Sequence, residues 1–462
     1  MPKKAKNRFL INLYESLVYI LPAMLFFSYY PLFSLGGDET MNFEFSLPII
    51  WLVLFDVVGV IVLAREKLLR ESLKKWRYLL FPVFVTFTIL WSANILRGIL
   101  TCGMMWLIII AVMLLMESKS VFSEEFFKKF LKWFLGSALA ACAWCFLQCV
   151  LDVAGVSREY TLMCEGCTYH SFGFPHPNGF AIEPQFMGNL LLAPTIVSGW
   201  LYLKKKDNKK AIAITLLLFC FSATLFLTFS RGAIYAFIVA MMFMTAWMAV
   251  RKKSWRVLKP LLIVAMAFLF TLNLQGILAQ VSPTNDTYQS GVAKVLNHLS
   301  LGIIDIRQQD ENAVEDEGVS DDDNVENNES IHDGYVAEST EIRRMLTRNA
   351  LTLWSRDVRT VLFGVGIGGA GHAMSEAGLT SSPKEIVQNE YASLLLEVGL
   401  VGVMLAVVFI IMVIKVVIKG SASVVIISLL VAYSVSLLFF AGLPNALQIY
   451  LLPATLWLAI KK

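Results

Sequence analysis

Long runs of uncharged apolar residues constrain this chain more than any other feature. Ala211 to Phe229 and Gly232 to Val250, for example, contain no charged residue at all. A helix needs roughly 17–25 such residues to cross a hydrocarbon layer of about 30 Å. The runs are apolar all round rather than alternating, which excludes a porin-like barrel, whose strands would show a period of two. Composition agrees: 57% of the 462 residues are apolar and 16% charged. A globular chain carries roughly 45–50% and 25%, so too few polar residues remain here to cover a water-facing surface. Disorder, collagen and a secreted disulfide scaffold are excluded on the same grounds. The chain reads as an all-α polytopic membrane protein.

Twelve spans are expected, near residues 10–34, 46–64, 78–96, 99–116, 134–154, 180–203, 211–228, 232–250, 260–280, 391–414, 421–440 and 446–460. If Met1 to Arg8 lies in the cytoplasm, the segments on that side carry 28 of the 39 Lys and Arg residues. The short loops on the other side hold only Arg97, Arg158 and Arg231. The positive-inside bias therefore puts both termini in the cytoplasm. The first span, interrupted by Tyr14 and Glu15 and followed by others, is expected to stay as a helix rather than be removed as a signal peptide. Three regions follow: residues 1–280 with helices one to nine, a large outer segment over 281–388, and residues 389–462 with helices ten to twelve.

Two outer stretches break the apolar rhythm. Ser157 to Asn178 contains Cys164-Glu165-Gly166-Cys167, His170 and His176. These have the makings of a zinc site, but a disulfide or a pair of free thiols fits equally. Cys102, Cys142, Cys145, Cys149 and Cys220 fall within spans and read as small packing residues. Within the second stretch, residues 308–341 are rich in Asp, Glu and Asn, including Asp321-Asp322-Asp323, and should form a solvated, disordered insert. Residues 342–362 differ, with Leu346, Ala350, Leu353 and Trp354 at helical spacing and five arginines, so an amphipathic helix on the outer face is expected.

Arg231 is the most informative single residue. It stands in Thr228-Phe229-Ser230-Arg231-Gly232 between two apolar runs, at the outer boundary of the membrane. Charge at that depth costs a few kcal/mol, so such a residue usually faces protein or water and has a task. It could be a snorkelling anchor; a lone arginine in so tight a hairpin is better explained as an anion ligand, its planar guanidinium suiting a phosphate or pyrophosphate oxygen pair. Among Arg343, Arg344, Arg348, Arg356 and Arg359, the spacing puts Arg344 and Arg348 on one helical face and Arg343 a step around. A helix resting on anionic headgroups would explain a basic face without a specific ligand. It does not explain why that helix directly follows an acidic insert. His332 lies in that insert and His298 upstream of it. Gly364-Val365-Gly366-Ile367-Gly368-Gly369-Ala370-Gly371 follows no strand, so it reads as a turn where backbone approaches a helix or an anion rather than as a dinucleotide loop. No Walker-type loop is present, and nothing points to nucleic acid.

Taken together the motifs resemble the O-antigen ligase and Wzy-type polysaccharide polymerase superfamily of bacterial envelope glycosyltransferases, over roughly residues 130–415. Gly173 to Asn178 with Ala181-Ile182-Glu183-Pro184 is similar to the family's G-x-F-x-x-PN and EP elements, and Thr228 to Gly232 to its T-x-S-R-G hairpin. Arg343 with Ala350-Leu351, then Phe363-Gly364-Val365-Gly366-Ile367-Gly368, resembles the arginine helix and F-G-x-G-x-G turn. Gln388-Asn389-Glu390-Tyr391, with Glu397-Val398-Gly399-Leu400-Val401-Gly402, resembles H-N-x-Y-L followed by E-x-G-L-x-G. Each motif is weak alone; their order is specific.

The resemblance implies transfer of a glycan from undecaprenyl pyrophosphate to an acceptor glycan or lipid, without metal, cofactor or nucleotide sugar, on the periplasmic side of a bacterial inner membrane. It implies Arg231 and Arg343 as charge-stabilising catalytic groups, with Arg344, Arg348, Asn178, Glu183, Asn389 and Tyr391 around the substrate. A chain-length regulator and a flippase are the implied partners. Where the ligases carry a histidine, the proposed base, this chain has Gln388, and an amide cannot accept a proton near neutral pH. Glu390, Glu183 and His372 are the other candidate bases; otherwise deprotonation is late. The departure favours a polymerase of repeat units over a ligase to a lipid A core. A transporter or flippase of lipid-linked or anionic substrate is a further alternative, for which Asp56 and Glu183 are the acidic residues within spans. It lacks a matched pair in two corresponding halves.

Overall fold

A computed structural model describes the chain except for residues 1, 36–42, 67–75, 119–120, 123, 157–175, 205–207, 253–254, 282–286, 301–330, 419–422, 443–445 and 461–462. Cys164, Cys167, His170 and most of the acidic insert thus lie outside the described residues. The helices are α1 Pro2–Leu25, α2 Leu47–Arg65, α3 Leu80–Phe87, α4 Ile95–Glu117, α5 Glu124–Val153, α6 Pro184–Lys204, α7 Asn208–Leu227, α8 Arg231–Lys252, α9 Lys259–Val281 and α10 Tyr288–Leu299, followed by α11 Ile331–Trp354, α12 Val358–Phe363, α13 Ala370–Glu376, α14 Glu390–Ile418, α15 Ser423–Ser436 and α16 Leu447–Ile460. Seven helices among the described residues are long and apolar enough to cross a membrane. Five shorter apolar helices, Phe9–Leu25, Leu80–Trp91, Ala211–Leu227, Val424–Ser436 and Leu447–Ile460, stand where the other spans are expected. The chain is a helical, multi-pass membrane protein.

Two differences from the expected architecture have local causes. The first span ends at Leu25 rather than near residue 34, because Ser28 bonds back to the Leu25 carbonyl at 2.7 Å and the chain turns into an antiparallel ribbon, β1 Pro31–Leu35 with β2 Phe43–Ser46. Proline cannot continue the helix ladder, and the Phe33 and Phe45 rings stack across the ribbon at 5.0 Å. The arginine helix begins at Ile331, inside the segment expected to be disordered up to 341. It stops at Trp354 instead of running to 362, because Asp357 accepts from the Thr360 amide at 2.9 Å and starts a new short helix, α12.

The core is organised around α6. Met187 to Trp200 are all buried, as expected of a helix with no polar face. Helices α7 and α8 pack along it, α15 lies against both α6 and α8, and α9 covers α7. Two of the polar groups inside are hydrogen-bonded: Thr195 bonds the Leu191 carbonyl at 2.6 Å, and Asn189 accepts from Ser436 on α15.

The glycine run 364–371 is a packing device. Gly364, Gly366 and Gly368 all have left-handed φ, at 71°, 90° and 73°. A Cβ on Gly366 would stand 2.3 Å from the Ser92 Cα, and one on Gly364 would stand 2.4 Å from the Glu397 backbone. The turn is pinned on both sides, by Val365 N to Leu396 O at 2.9 Å, Gly366 N to Glu397 O at 2.9 Å, and Ser92 Oγ to Ile367 O at 2.9 Å. It therefore locks the break between α3 and α4 to the kink that Gly399 makes in α14. Of the two readings its sequence left open, approach to a helix is the one realised. Two buried positions of α11, Ala350 and Leu353, pack in a small cluster with Ala370, Met374, Val387 and Leu396, so the same unit orients the arginine helix.

Candidate active site

The site is assembled from three local structures. The first is the α7–α8 hairpin. Thr228 Oγ1 bonds the Leu225 carbonyl at 2.7 Å and ends α7; Phe229 follows with φ 50°, the only positive value outside glycine among the described residues. Ser230 starts α8, its carbonyl accepting from Ile234 at 2.8 Å and its Oγ from Ala233 at 3.4 Å. Arg231 is the first residue of α8, where four orphan amides and the positive end of the helix dipole favour an anion. A Cβ on Gly232 would lie 2.7 Å from that of Phe439. The hairpin thus touches the α15–α16 connection directly.

The second structure is α11. Arg343 is half-buried, and its Nη2 donates to Gln185 Oε1 at 3.0 Å; Gln185 Nε2 in turn donates to the Glu183 carboxylate. Burial raises the Glu183 pKa, opposed by the Arg343 charge and the Gln185 bond. The Gln185 amide thus links the guanidinium to the Glu183 carboxylate and helps fix its direction. The third is the segment entering α14, where Val387 is buried and Gln388 turns toward the hairpin.

These elements enclose a cavity of about 570 Å³ lined by Arg231, Arg343, Arg344, Arg348, Gln388 and Thr347, with Leu351, Leu438 and Phe439 forming apolar wall. Gln388 is half-buried, and its Oε1 is a buried acceptor with no hydrogen-bond partner among the described residues. An unfilled buried acceptor costs roughly 1–3 kcal/mol, a cost that a bound hydroxyl would relieve. Residues from the start of α8 to the segment after α15 meet here, although Arg231 and Gln388 lie far apart in sequence.

Several expected site residues are placed elsewhere. His372 does not line the cavity; its Nε2 pairs with Glu376 one turn along α13 at 3.4 Å. Asn389 caps α14, its Oδ1 accepting from the amides of Tyr391 and Ala392, both at 3.1 Å. Tyr391 ties α14 to the Ser434 carbonyl at 2.7 Å. Asn178 is fully buried between Gln148 Nε2 (3.0 Å) and the Ala181 carbonyl (2.6 Å), shaping the entry to α6. Glu390 accepts from the Gly442 amide at 2.7 Å, bracing the wall from behind, and Glu183 sits one residue removed from the cavity. Arg356 and Arg359 are exposed beyond the lining. His372, Asn389, Tyr391, Asn178, Glu390 and Glu183 each bond backbone or a neighbouring side chain, and none of them is among the residues that line the cavity.

Two residues that the sequence alone did not single out stand directly behind the arginines. One is Gln185. The other is His298, on α10, 7% exposed, whose Nε2 donates to the Phe229 carbonyl at 3.0 Å. Gly291, Val295 and His298 are the buried residues of α10, a spacing of four and three that marks one helical face and could have flagged the histidine.

Residues 213–407 match a family model described as O-Antigen ligase. Those residues are similar to the O-antigen ligase family. The match runs from within α7 to within α14 and so contains the hairpin, the arginine helix, the glycine turn and Gln388, while the Gly173–Pro184 elements precede it. The match supports the resemblance to the O-antigen ligase and Wzy superfamily, which implies a glycosyltransferase-like enzyme. No curated protein and no solved structure gives a significant match to the chain.

Proposed function

We propose that the protein polymerises oligosaccharide repeat units carried on undecaprenyl pyrophosphate, at the outer face of a bacterial inner membrane, through twelve spans with both termini inside. The observation that carries the reading is one cavity into which two separate elements bring Arg231 and Arg343, with Arg344, Arg348 and Gln388 beside them. As the bond from the sugar to the pyrophosphate breaks, negative charge grows on the departing oxygen. Fixed guanidinium groups aimed there stabilise the transition state more than the bound donor. The apolar wall of Leu351, Leu438 and Phe439 is suited to the isoprenoid end, and Gln388 to the acceptor hydroxyl. Gln388 orients that hydroxyl by accepting its hydrogen bond; since it cannot take the proton, deprotonation comes late, once the leaving group has carried off charge.

Lipid-linked intermediates in a deletion strain test this directly. Single repeat units should accumulate on the lipid; finished polymer accumulating there instead would make the protein a ligase. Arg231→Ala and Arg343→Ala should each lower polymer formation on the order of 100-fold at unchanged protein level, the usual cost of losing one charge-stabilising donor. Normal polymer in both variants would overturn the site.

A further inference from the structure

We propose that His298 is the positioning residue for Arg231: from α10 it holds the carbonyl of Phe229 and so sets the hairpin conformation from which the guanidinium enters the cavity. This rests on the reading of Arg231 as a charge-stabilising group.

Phe229 is held in left-handed backbone, at φ 50°, two residues before Arg231. Such a conformation costs a non-glycine residue on the order of 1–3 kcal/mol and persists only where its surroundings over-determine it. Local bonds at Thr228 and Ser230 do part of this. From outside the hairpin, Phe229 packs against Leu272, Ala279 and Val295, and its carbonyl is held by the His298 bond, which joins residues 69 apart in sequence. His298 is itself anchored. Thr287 caps α10 through the Ser290 amide at 3.1 Å, a Cβ on Gly291 would lie only 2.8 Å from that of Ala279, and Val295 packs in one cluster with Phe229, Leu272 and Ala279. Helix α9, which α10 packs against, thus transmits the position of the bundle to the hairpin.

The residue type suits the task. The carbonyl needs a donor, and the nearest charges are Arg231 and Arg343, so a lysine or arginine would add a third positive charge beside the ligand site. Imidazole donates while neutral. Burial, with the charges of Arg231 and Arg343, pushes its pKa down to about 3 against the Phe229 bond, so it keeps one protonation state across the physiological range.

The test uses the full-length protein purified in detergent, with lipid extract from a deletion strain as donor and acceptor, and turnover taken per molecule eluting as folded. His298→Gln places an amide donor at the reach of Nε2; His298→Phe and His298→Leu remove the donor. Turnover should fall about 10- to 100-fold in the Phe or Leu variant, the scale of a misplaced catalytic group. It should stay within about threefold in the Gln variant, the loss of a slightly longer bond. Combined with Arg231→Ala, His298→Leu should cost nothing further, since the two act as one unit. A merely structural role predicts additive losses and no difference between Gln and Leu. Full turnover in the Phe or Leu variant, a Gln variant as slow as Leu, or an additive double variant would overturn the proposal. Wild-type turnover in Arg231→Ala would overturn the functional reading instead.

Discussion

Arg231 and Arg343 differ in how their charge is held. Arg231 takes its direction from a helix start and a strained hairpin, whereas Arg343 is aimed by the Gln185 amide and the buried Glu183 behind it. Gln388 is the third partner, the one whose acceptor atom is buried and unfilled. Replacing it by alanine should lower turnover about 10-fold, the worth of one hydrogen bond to the acceptor hydroxyl. Gln388→His should remain active and acquire a rate that rises with pH through about 6.5, as the imidazole loses its proton and becomes a base. An alanine variant with undiminished turnover would remove Gln388 from the site. Arg231 stood out in the sequence because it interrupts two apolar runs, Arg343 because a basic helix follows an acidic insert, and Gln388 only through the resemblance of its motif. Gln185 and His298 did not, since a neutral polar side chain shows its purpose only when its partner is in view.

At the scale of elements, the glycine turn decides where the arginine helix lies. Gly399 has φ 63°, and a Cβ there would lie 2.4 Å from the backbone of Leu362. Gly399→Ala should therefore lower stability by about 1–3 kcal/mol, through left-handed strain and displaced backbone. It should be read as an earlier thermal unfolding transition in detergent, with donor turnover reduced in parallel because α12 and α11 shift together. An unchanged transition would mean that the contact between turn and kink is not rigid. The family's H-N-x-Y pattern is instructive here. Asn389 and Tyr391 looked like ligands by their motif, yet Asn389 caps α14 and Tyr391 fastens it to α15. Residues that hold a catalytic neighbour's backbone and residues that touch substrate are indistinguishable in a one-dimensional pattern.

For the whole molecule, the cavity is lined from the start of α8, from α11, from Gln388 just before α14 and from the residues after α15, while the basic residues Lys204 and Arg251 stand at the far ends of α6 and α8. The charge bias and the site thus divide the bundle between two faces. A membrane-impermeant maleimide applied to intact spheroplasts should label a cysteine introduced at Ser355, on the cavity rim, and should leave one introduced at Lys204 unlabelled until the membrane is opened; the reverse pattern would invert the orientation. What the sequence determined by itself was the solvent, the helical class and the approximate places of the apolar helices, because these follow from local composition and from the cost of charge near hydrocarbon. It did not determine which polar residues face the cavity. That depended on the left-handed turns at Phe229 and Gly399, the early stop of α1 and the docking of α10 behind the hairpin. These are settled by contacts between residues distant in the chain, and the direction in which a side chain points depends on all of them at once.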